Sequence, residues 1–134
     1  MKRVYKFDLS SPLPIVTARV SGTNRNRPIS LVLDTGAFMT QLTTSVIEEL
    51  GYSARDGIEL ITVSGPSGPL DEGYTVKINQ MRIFGKQFSD LLVAVYDFSN
   101  LEKEGIDGLL GFDIVKPLHL EMNGPKGELV ILDH

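Results

Sequence analysis

The sequence predicts an all-β fold, a closed β-barrel or sandwich of short strands with one or two short helices. Thirteen glycines and seven prolines among 134 residues indicate many tight turns. A hydrophobic content of 42% and a charged content of 22% are typical of a folded globular chain and not of disorder. The apolar runs are short and are separated by turn residues. At this length we expect a single domain that spans residues 1–134.

The first part of the chain reads as strands joined by tight turns. The run at residues 22–28 combines Gly, Asn, Arg and Pro between two β-rich segments, which is a hairpin signal. The predicted strands here cover residues 4–7, 15–21, 29–33 and a short run at 39–42.

The clearest helix is predicted over residues 44–51. Ser45 can act as its N-cap, with Glu48 at capping-box spacing. Gly51 suits the C′ position that ends a helix. The spacing of its apolar residues predicts one buried face, formed by Val46, Ile47 and Leu50.

The second part of the chain again alternates strands and turns. Gly85-Lys86 is a plausible tight turn, and residues 107–115 lead into a possible second helical turn that Pro117 ends. The remaining predicted strands cover residues 58–63, 73–78, 81–84 and 88–95, and a final hairpin joins 118–122 to 128–132. Because most neighbours are joined by tight turns, we expect mainly antiparallel pairing.

Composition excludes several functional classes. The net charge of −4 is spread over mixed residues, so no basic patch indicates nucleic acid. No stretch approaches the roughly 18 apolar residues that span a bilayer. The absence of cysteine excludes disulfides, zinc ribbons and thiol nucleophiles. The basic start is not followed by an apolar run, so we expect no secretory signal and a cytoplasmic protein.

Asp34 is the chemically suggestive residue. It follows an apolar strand and precedes Thr35, Gly36 and Ala37, where a tight turn leaves the buried layer. Gly36 permits backbone conformations closed to other residues, and the following amides can hold a carboxylate in one orientation. Taken alone, an Asp-Thr-Gly after a strand is more often an ordinary turn in which the aspartate caps itself.

A second segment is informative farther along the chain. Leu109 and Leu110 precede Gly111 within the run Gly-Leu-Leu-Gly-Phe-Asp. Two aliphatic residues followed by glycine predict a strand that passes close to another backbone. We therefore expect this segment to support the site and not to perform chemistry.

Together these segments resemble the signatures of the retropepsin-like aspartic peptidases. Leu-Val-Leu-Asp-Thr-Gly-Ala, ending at Ala37, resembles the family's catalytic motif, and Leu109-Leu110-Gly111 resembles its later hydrophobic-hydrophobic-glycine motif. A glycine-rich segment lies between them, where the family carries its flap hairpin. The resemblance covers nearly the whole chain and is closer to bacterial and cellular members than to viral ones. The proposed flap and substrate-binding residues are Ser64, Gly65, Pro66, Ser67 and Gly68.

The resemblance implies a homodimeric aspartic endopeptidase that hydrolyses peptides or unfolded proteins. Asp34 would be the catalytic residue, and one copy from each subunit would activate a water. Thr35 would brace the two loops, and the glycine-rich segment would close over an extended peptide.

Phe38 departs from the family pattern, which usually has a small polar or acidic residue there. A second hypothesis therefore stays open, a catalytically weak or inactive retropepsin-fold module for dimerisation or peptide binding. No arginine stands near Asp113, where many viral members carry one.

Other chemistries find little support in the sequence. His119 and His134 are the only histidines, and neither has a carboxylate at metal-site spacing, so we expect no metal and no cofactor. No Gly-x-Ser-x-Gly elbow occurs, which disfavours a serine hydrolase. Asp107 and Asp113 are interpreted as turn or cap residues, and residues 102–104 as a solvated face.

Overall fold

The computed structural model describes residues 1–63, 71–97 and 99–133. Its helices are α1 (Thr44–Glu49), α2 (Ser99–Glu102) and α3 (Phe112–Val115), with a 3-10 helix at Ala54–Asp56. Its strands are β1 (Lys2–Lys6), β2 (Ile15–Ser21), β3 (Asn26–Leu33), β4 (Gln41–Thr43), β5 (Glu59–Val63), β6 (Asp71–Ile83), β7 (Lys86–Tyr96), β8 (Gly108–Leu110), β9 (His119–Asn123) and β10 (Glu128–Leu132).

The main sheet closes into a barrel, which confirms the predicted all-β class. Its strand order is β2-β3-β8-β4-β7-β6-β5, and an additional pairing of β2 with β6 joins the two sides. β5 lies outside this ring and pairs only with β6 among the described residues. Closure removes exposed strand edges from the ring. Fully buried aliphatic side chains fill the interior, including Leu31, Leu42, Ile78 and Leu110.

A second, smaller sheet has the order β1-β10-β9 and contains the predicted final hairpin. β9 and β10 pair in antiparallel register from His119↔Leu132 to Asn123↔Glu128. Leu129 and Ile131 of β10 are fully buried against the barrel core. Burial of each such side chain contributes about 1.5–3 kcal/mol, so this sheet is anchored through β10.

Two strand pairs are parallel, which the expectation of mainly antiparallel pairing did not anticipate. β3 pairs in parallel with β8, and β4 pairs in parallel with β7. β8 lies between β3 and β4, although these two are close neighbours in sequence. The connection from β3 to β4, residues 34–40, must therefore pass around the end of β8. This crossing positions the Asp34 loop.

Helix α1 confirms the prediction in part. Val46, Ile47 and Leu50 are fully buried, as their spacing predicts. Gly51 has φ +98, and its N–H and that of the next residue bond back to the last helical turn, which ends the helix as expected. The predicted N-cap at Ser45 is wrong. The N-cap is Thr43, and its hydroxyl donates to Glu102 instead of capping the helix.

The contact of Glu102 with Thr43 also shows that residues 102–104 are not wholly a solvated face. The carboxylate of Glu102 accepts hydrogen bonds from the hydroxyls of Thr43 and Ser45, the latter at 3.3 Å. It therefore ties α2 to the start of α1.

β6 runs unbroken where the sequence predicts two strands. The predicted break falls at residues 79 and 80. Asn79 instead continues the strand: its N–H donates to the Tyr52 hydroxyl at 3.0 Å and its side-chain amide donates to the Gly22 carbonyl at 2.9 Å. The turn to β7 is formed by Phe84 and Gly85, at φ +55 and +71, a pattern typical of a two-residue hairpin.

Candidate active site

Asp34 stands directly after β3, at the point where that strand leaves the barrel wall. Its N–H donates to the Leu110 carbonyl at 2.9 Å, which extends the parallel pairing of β3 with β8 by one residue. Its side chain is half-buried, and Oδ1 accepts a hydrogen bond from the Gly36 N–H at 3.0 Å. The Ala37 N–H donates to the Asp34 carbonyl at 3.2 Å, so the turn is closed on itself. The carboxylate is therefore fixed in orientation and still open to solvent.

The Leu109-Leu110-Gly111 segment packs against the loop that carries Asp34 and supports it. Leu110 is fully buried, and Leu109 pairs with both Val32 and Gln41. A Cβ on Gly111 would overlap the backbone of Met39, so the close approach of the two chains requires glycine. One residue later, the Phe112 N–H donates to the Ala37 carbonyl at 2.7 Å.

Thr40 and Asp113 form a further support that the sequence does not reveal. The Asp113 carboxylate accepts hydrogen bonds from the Thr40 N–H at 3.0 Å and from the Thr40 hydroxyl at 2.9 Å. The Thr40 oxygen in turn accepts from the Gly111 N–H at 3.1 Å. Thr40 has no exposed surface. The available sequence signal was a polar residue, Thr40, in the run at 39–42, together with an acid, Asp113, just after Gly111.

The other predicted site residues lie on the outer side of the loop. Thr35 and Gly36 are exposed and Ala37 is half-buried. The proposed flap residues Ser64, Gly65, Pro66, Ser67 and Gly68 lie outside the described residues.

Phe38 is 81% exposed in the Asp34 loop and lines two grooves. We name them after one lining residue each. The Tyr96 groove has a volume of about 430 Å³ and also contacts Gly36 and Gln41. The Thr75 groove has a volume of about 570 Å³, and its lining is Phe38, Met39, Glu59, Ile61, Thr75, Leu91, Leu92 and Asp113. Burial raises the pKa of the Tyr96 hydroxyl above its ordinary value, so this tyrosine is uncharged in its groove at neutral pH.

The acids around Asp34 are engaged differently. Asp107 accepts a hydrogen bond from the Ser30 N–H at 2.8 Å and lies 3.6 Å from the Arg27 guanidinium. In the part of the chain that the structure describes, Asp34 forms no ion pair, and no group of three potential metal ligands occurs. The chemistry available at this site is therefore that of a solvent-accessible carboxylate on a loop whose next residues line two grooves.

None of the helices in residues 1–63, 71–97 and 99–133 combines the length and the apolar character needed to cross a membrane.

Comparison with known proteins is consistent with this geometry. The sequence model of a family described as aspartyl protease matches residues 16–114. A search of curated proteins finds no match. A retropepsin-like aspartic protease from Rickettsia conorii is similar in structure, with a TM-score of 0.71 and 19% identity, over 98% of this chain and 89% of that one.

Two further structures are similar at lower scores. The EIAV protease, solved with an inhibitor, gives a TM-score of 0.54 at 21% identity, over 84% of this chain and 93% of that one. The retroviral protease-like domain of Ddi1 from Leishmania major gives 0.53 at 14% identity, over 84% and 82%. At these identities the structures establish a shared fold and leave function to be argued from the site.

Proposed function

The chain belongs to the aspartyl protease family, and from that premise we propose that it is a homodimeric aspartic endopeptidase in which Asp34 of each copy supplies one catalytic carboxylate. The observation that carries the proposal is the half-exposed Asp34 carboxylate. It lies on a loop that backbone hydrogen bonds hold at Asp34 and at Ala37. A group that is fixed in orientation and open to solvent can meet both a partner and a substrate.

Two copies are needed because the sequence contains a single Asp-Thr-Gly. A two-fold axis beside Asp34 would bring the same residue of a second copy opposite it, in a self-complementary interface. Two carboxylates about 3 Å apart do not both ionise, and they share one proton, which is the established behaviour of aspartic proteases. The pair then titrates as a unit.

The shared proton divides the chemical roles between the two carboxylates. The ionised carboxylate takes a proton from a bound water, and the water oxygen attacks the scissile carbonyl carbon. The protonated carboxyl donates its proton to the carbonyl oxygen. Collapse of the tetrahedral intermediate breaks the C–N bond: the leaving amine takes a proton from the protonated carboxyl, and one hydroxyl of the intermediate returns a proton to the other carboxylate, which restores the pair with one proton.

The exposed outer side of the loop suits the contacts that a dimer would make. In this proposal the hydroxyl of Thr35 bonds across the two-fold axis and braces both loops. Residues Ser64 to Gly68 act as the flap that closes over an extended peptide and excludes water. The two grooves that Phe38 lines provide space for substrate side chains beside the loop that carries Asp34.

Phe38 favours a second candidate, a peptide-binding or dimerisation module without efficient catalysis. Its ring stands exposed where the family usually has a small polar or acidic residue. A phenyl ring cannot donate or accept the hydrogen bonds that such a residue supplies around the carboxylate.

One experiment separates the two candidates. Purified protein is incubated with denatured protein substrate between about pH 4 and pH 7, where a carboxylate pair with one proton can operate, beside Asp34→Asn. Cleavage that is lost in the variant supports the peptidase. No cleavage by either protein, with dimers present in sedimentation equilibrium, supports the binding module. Equal cleavage by both proteins would contradict the assignment of Asp34.

A further inference from the structure

We propose that the Thr75 groove binds a basic side chain, lysine or arginine, of the bound peptide. The inference rests on the proposed function in one respect, that a peptide lies beside the Asp34 loop. It goes beyond that function because it names the side-chain chemistry that the groove selects. Three features of the groove support it independently, namely its apolar walls, its unpaired negative charge and a buried hydroxyl without a partner.

The walls of the groove are apolar. Phe38 and Met39 form the side next to the Asp34 loop, and Leu92 of β7 lies on the other side. The ring of Phe38 is 81% exposed, so its face is available to a guest. A volume of about 570 Å³ leaves room for a long, flexible side chain. Methylene stems pack against such walls, and a cationic head near an aromatic face gains further attraction.

The charge on the groove is negative. Glu59 and Asp113 both line it, and the lining contains no lysine or arginine. Glu59 is exposed and forms no ion pair within the described residues. Lys77 is the cross-strand partner of Leu92 but is not part of the lining. A guest with a positive head is therefore attracted, and a guest with a carboxylate is repelled.

The hydroxyl of Thr75 provides the third feature. Thr75 is 3% exposed, and its Oγ1 has no hydrogen-bond partner among the residues that the structure describes. Buried hydroxyls are rarely left without a partner, because desolvation without a hydrogen bond is unfavourable. An unpartnered buried hydroxyl in the lining of a groove can accept a hydrogen bond from a guest or donate one, so it favours a guest with a polar end and excludes a purely aliphatic one.

These features together select one kind of side chain. The Asp113 carboxylate is already hydrogen-bonded to Thr40 and Ile114 and contributes its charge. The Glu59 carboxylate only accepts hydrogen bonds when ionised, and Thr75 Oγ1 can accept one as well. Lysine and arginine carry donors and no acceptor at the end of a long apolar stem. An aliphatic guest would fill the walls but leave Thr75 and Glu59 without a partner. An acidic guest would face two like charges.

The test measures binding without requiring cleavage, so it uses the Asp34→Asn protein as well as the parent. Positional-scanning octapeptide mixtures carry lysine, arginine, norleucine or glutamate at one fixed position. Their affinities are measured by competition against a fluorescent peptide, and cleavage by the parent is followed in parallel. Glu59→Gln removes the groove charge at nearly constant size, and Thr75→Val removes the hydroxyl. Glu104→Gln, an exposed acid in the turn after α2, is the charge-matched control.

We expect lysine and arginine to bind about two- to fivefold more tightly than norleucine at one position, as for a solvent-exposed ion pair. The preference should fall when ionic strength rises from about 0.05 M to about 1 M. Glu59→Gln should abolish most of it, Thr75→Val should reduce it, and Glu104→Gln should leave it intact.

A preference for norleucine or glutamate at every position, or a basic preference that Glu59→Gln leaves unchanged, would overturn the inference. Basic selectivity in binding without any cleavage by the parent would support the groove and contradict the peptidase. Cleavage by the parent with no basic preference would do the reverse.

Discussion

Two aspartates follow neighbouring parallel strands at one end of the barrel. Asp34 comes directly after β3, and Asp113 comes shortly after β8, within the first turn of α3. The Asp34 carboxylate receives one backbone N–H, that of Gly36. The Asp113 carboxylate receives the N–H and the hydroxyl of Thr40 and the N–H of Ile114.

The difference shows how surroundings assign a role to the same side chain. The Asp113 carboxylate accepts hydrogen bonds from buried groups, so its removal would leave those donors unsatisfied. Among the described residues, the Asp34 carboxylate accepts only the Gly36 N–H, so most of its acceptor capacity is unused there. Asp113 therefore stabilises the loop, whereas Asp34 is carried on that loop with its carboxylate open to solvent. The following predictions separate these roles, from the largest expected effect to the smallest.

If the proposed mechanism is correct, Asp34→Asn should reduce peptide cleavage by about 10²- to 10⁴-fold, because that mechanism loses its proton-transferring carboxylate. Its free energy of unfolding should stay within about 0.5 kcal/mol of the parent, since the substitution leaves no buried group unpaired. Urea unfolding and a cleavage assay on the same preparation measure both quantities. A marked loss of stability would mean that Asp34 is also a structural residue.

Asp113→Ala should behave in the opposite way and destabilise the fold by about 2–4 kcal/mol. Two donors of the fully buried Thr40 lose their acceptor, and each costs about 1–3 kcal/mol. Urea unfolding measures the change. Asp113→Asn retains one acceptor oxygen and should lose less stability. If Asp113→Ala left the free energy of unfolding unchanged, the structural role of Asp113 would be contradicted.

Gly111→Ala should disturb both aspartates at once, because the added methyl group overlaps the Met39 backbone that connects them. We expect a loss of about 1–3 kcal/mol, typical of overpacking, and a fall in cleavage. Gly124→Ala is the matched control, since its new methyl group would meet nothing within 4 Å, and thermal unfolding should not distinguish it from the parent. Equal effects of the two substitutions would argue against a close crossing.

The smallest effect should come from Asp133, an acid that is held by cations. The hydrogen bond from Lys86 and the charge of Arg3 lower the pKa of Asp133 below its ordinary value of 3.8. A lowered folded-state pKa gives stability that is present above pH 3.8 and is lost as the pH falls through the lower folded value. Asp133→Asn should reduce the loss of stability at low pH when the free energy of unfolding is measured against pH. An unchanged curve would show that the pairs contribute nothing measurable.

Much of the fold could be predicted from local patterns in the sequence. Alternating and continuous apolar runs predicted most strands, and Gly51 predicted the end of α1 because left-handed backbone favours glycine. The position of Asp34 at a strand end followed from the apolar run before it. These features depend on neighbours in sequence, which is why a single chain reveals them.

The errors have a common cause in distant contacts. The break predicted between residues 78 and 81 is absent, and Tyr52 and Gly22 satisfy the polar groups of Asn79 there. Ser45, the predicted N-cap, lies inside the helix, and its hydroxyl donates to Glu102, 57 positions away. The pairing of Thr40 with Asp113 joins residues 73 positions apart, and no local pattern encodes it.

The crossing of the Asp34 loop over β8 also has a consequence for synthesis. A ribosome releases the chain from its amino end, so the Asp34 turn emerges long before Leu110, Gly111 and Asp113. Until they arrive, the Asp34 N–H and the Thr40 side chain lack the partners that hold them in the finished fold. A nascent or truncated chain that stops short of these residues therefore lacks the contacts that hold the Asp34 loop, so the site is assembled only after residues 110–113 have been synthesised.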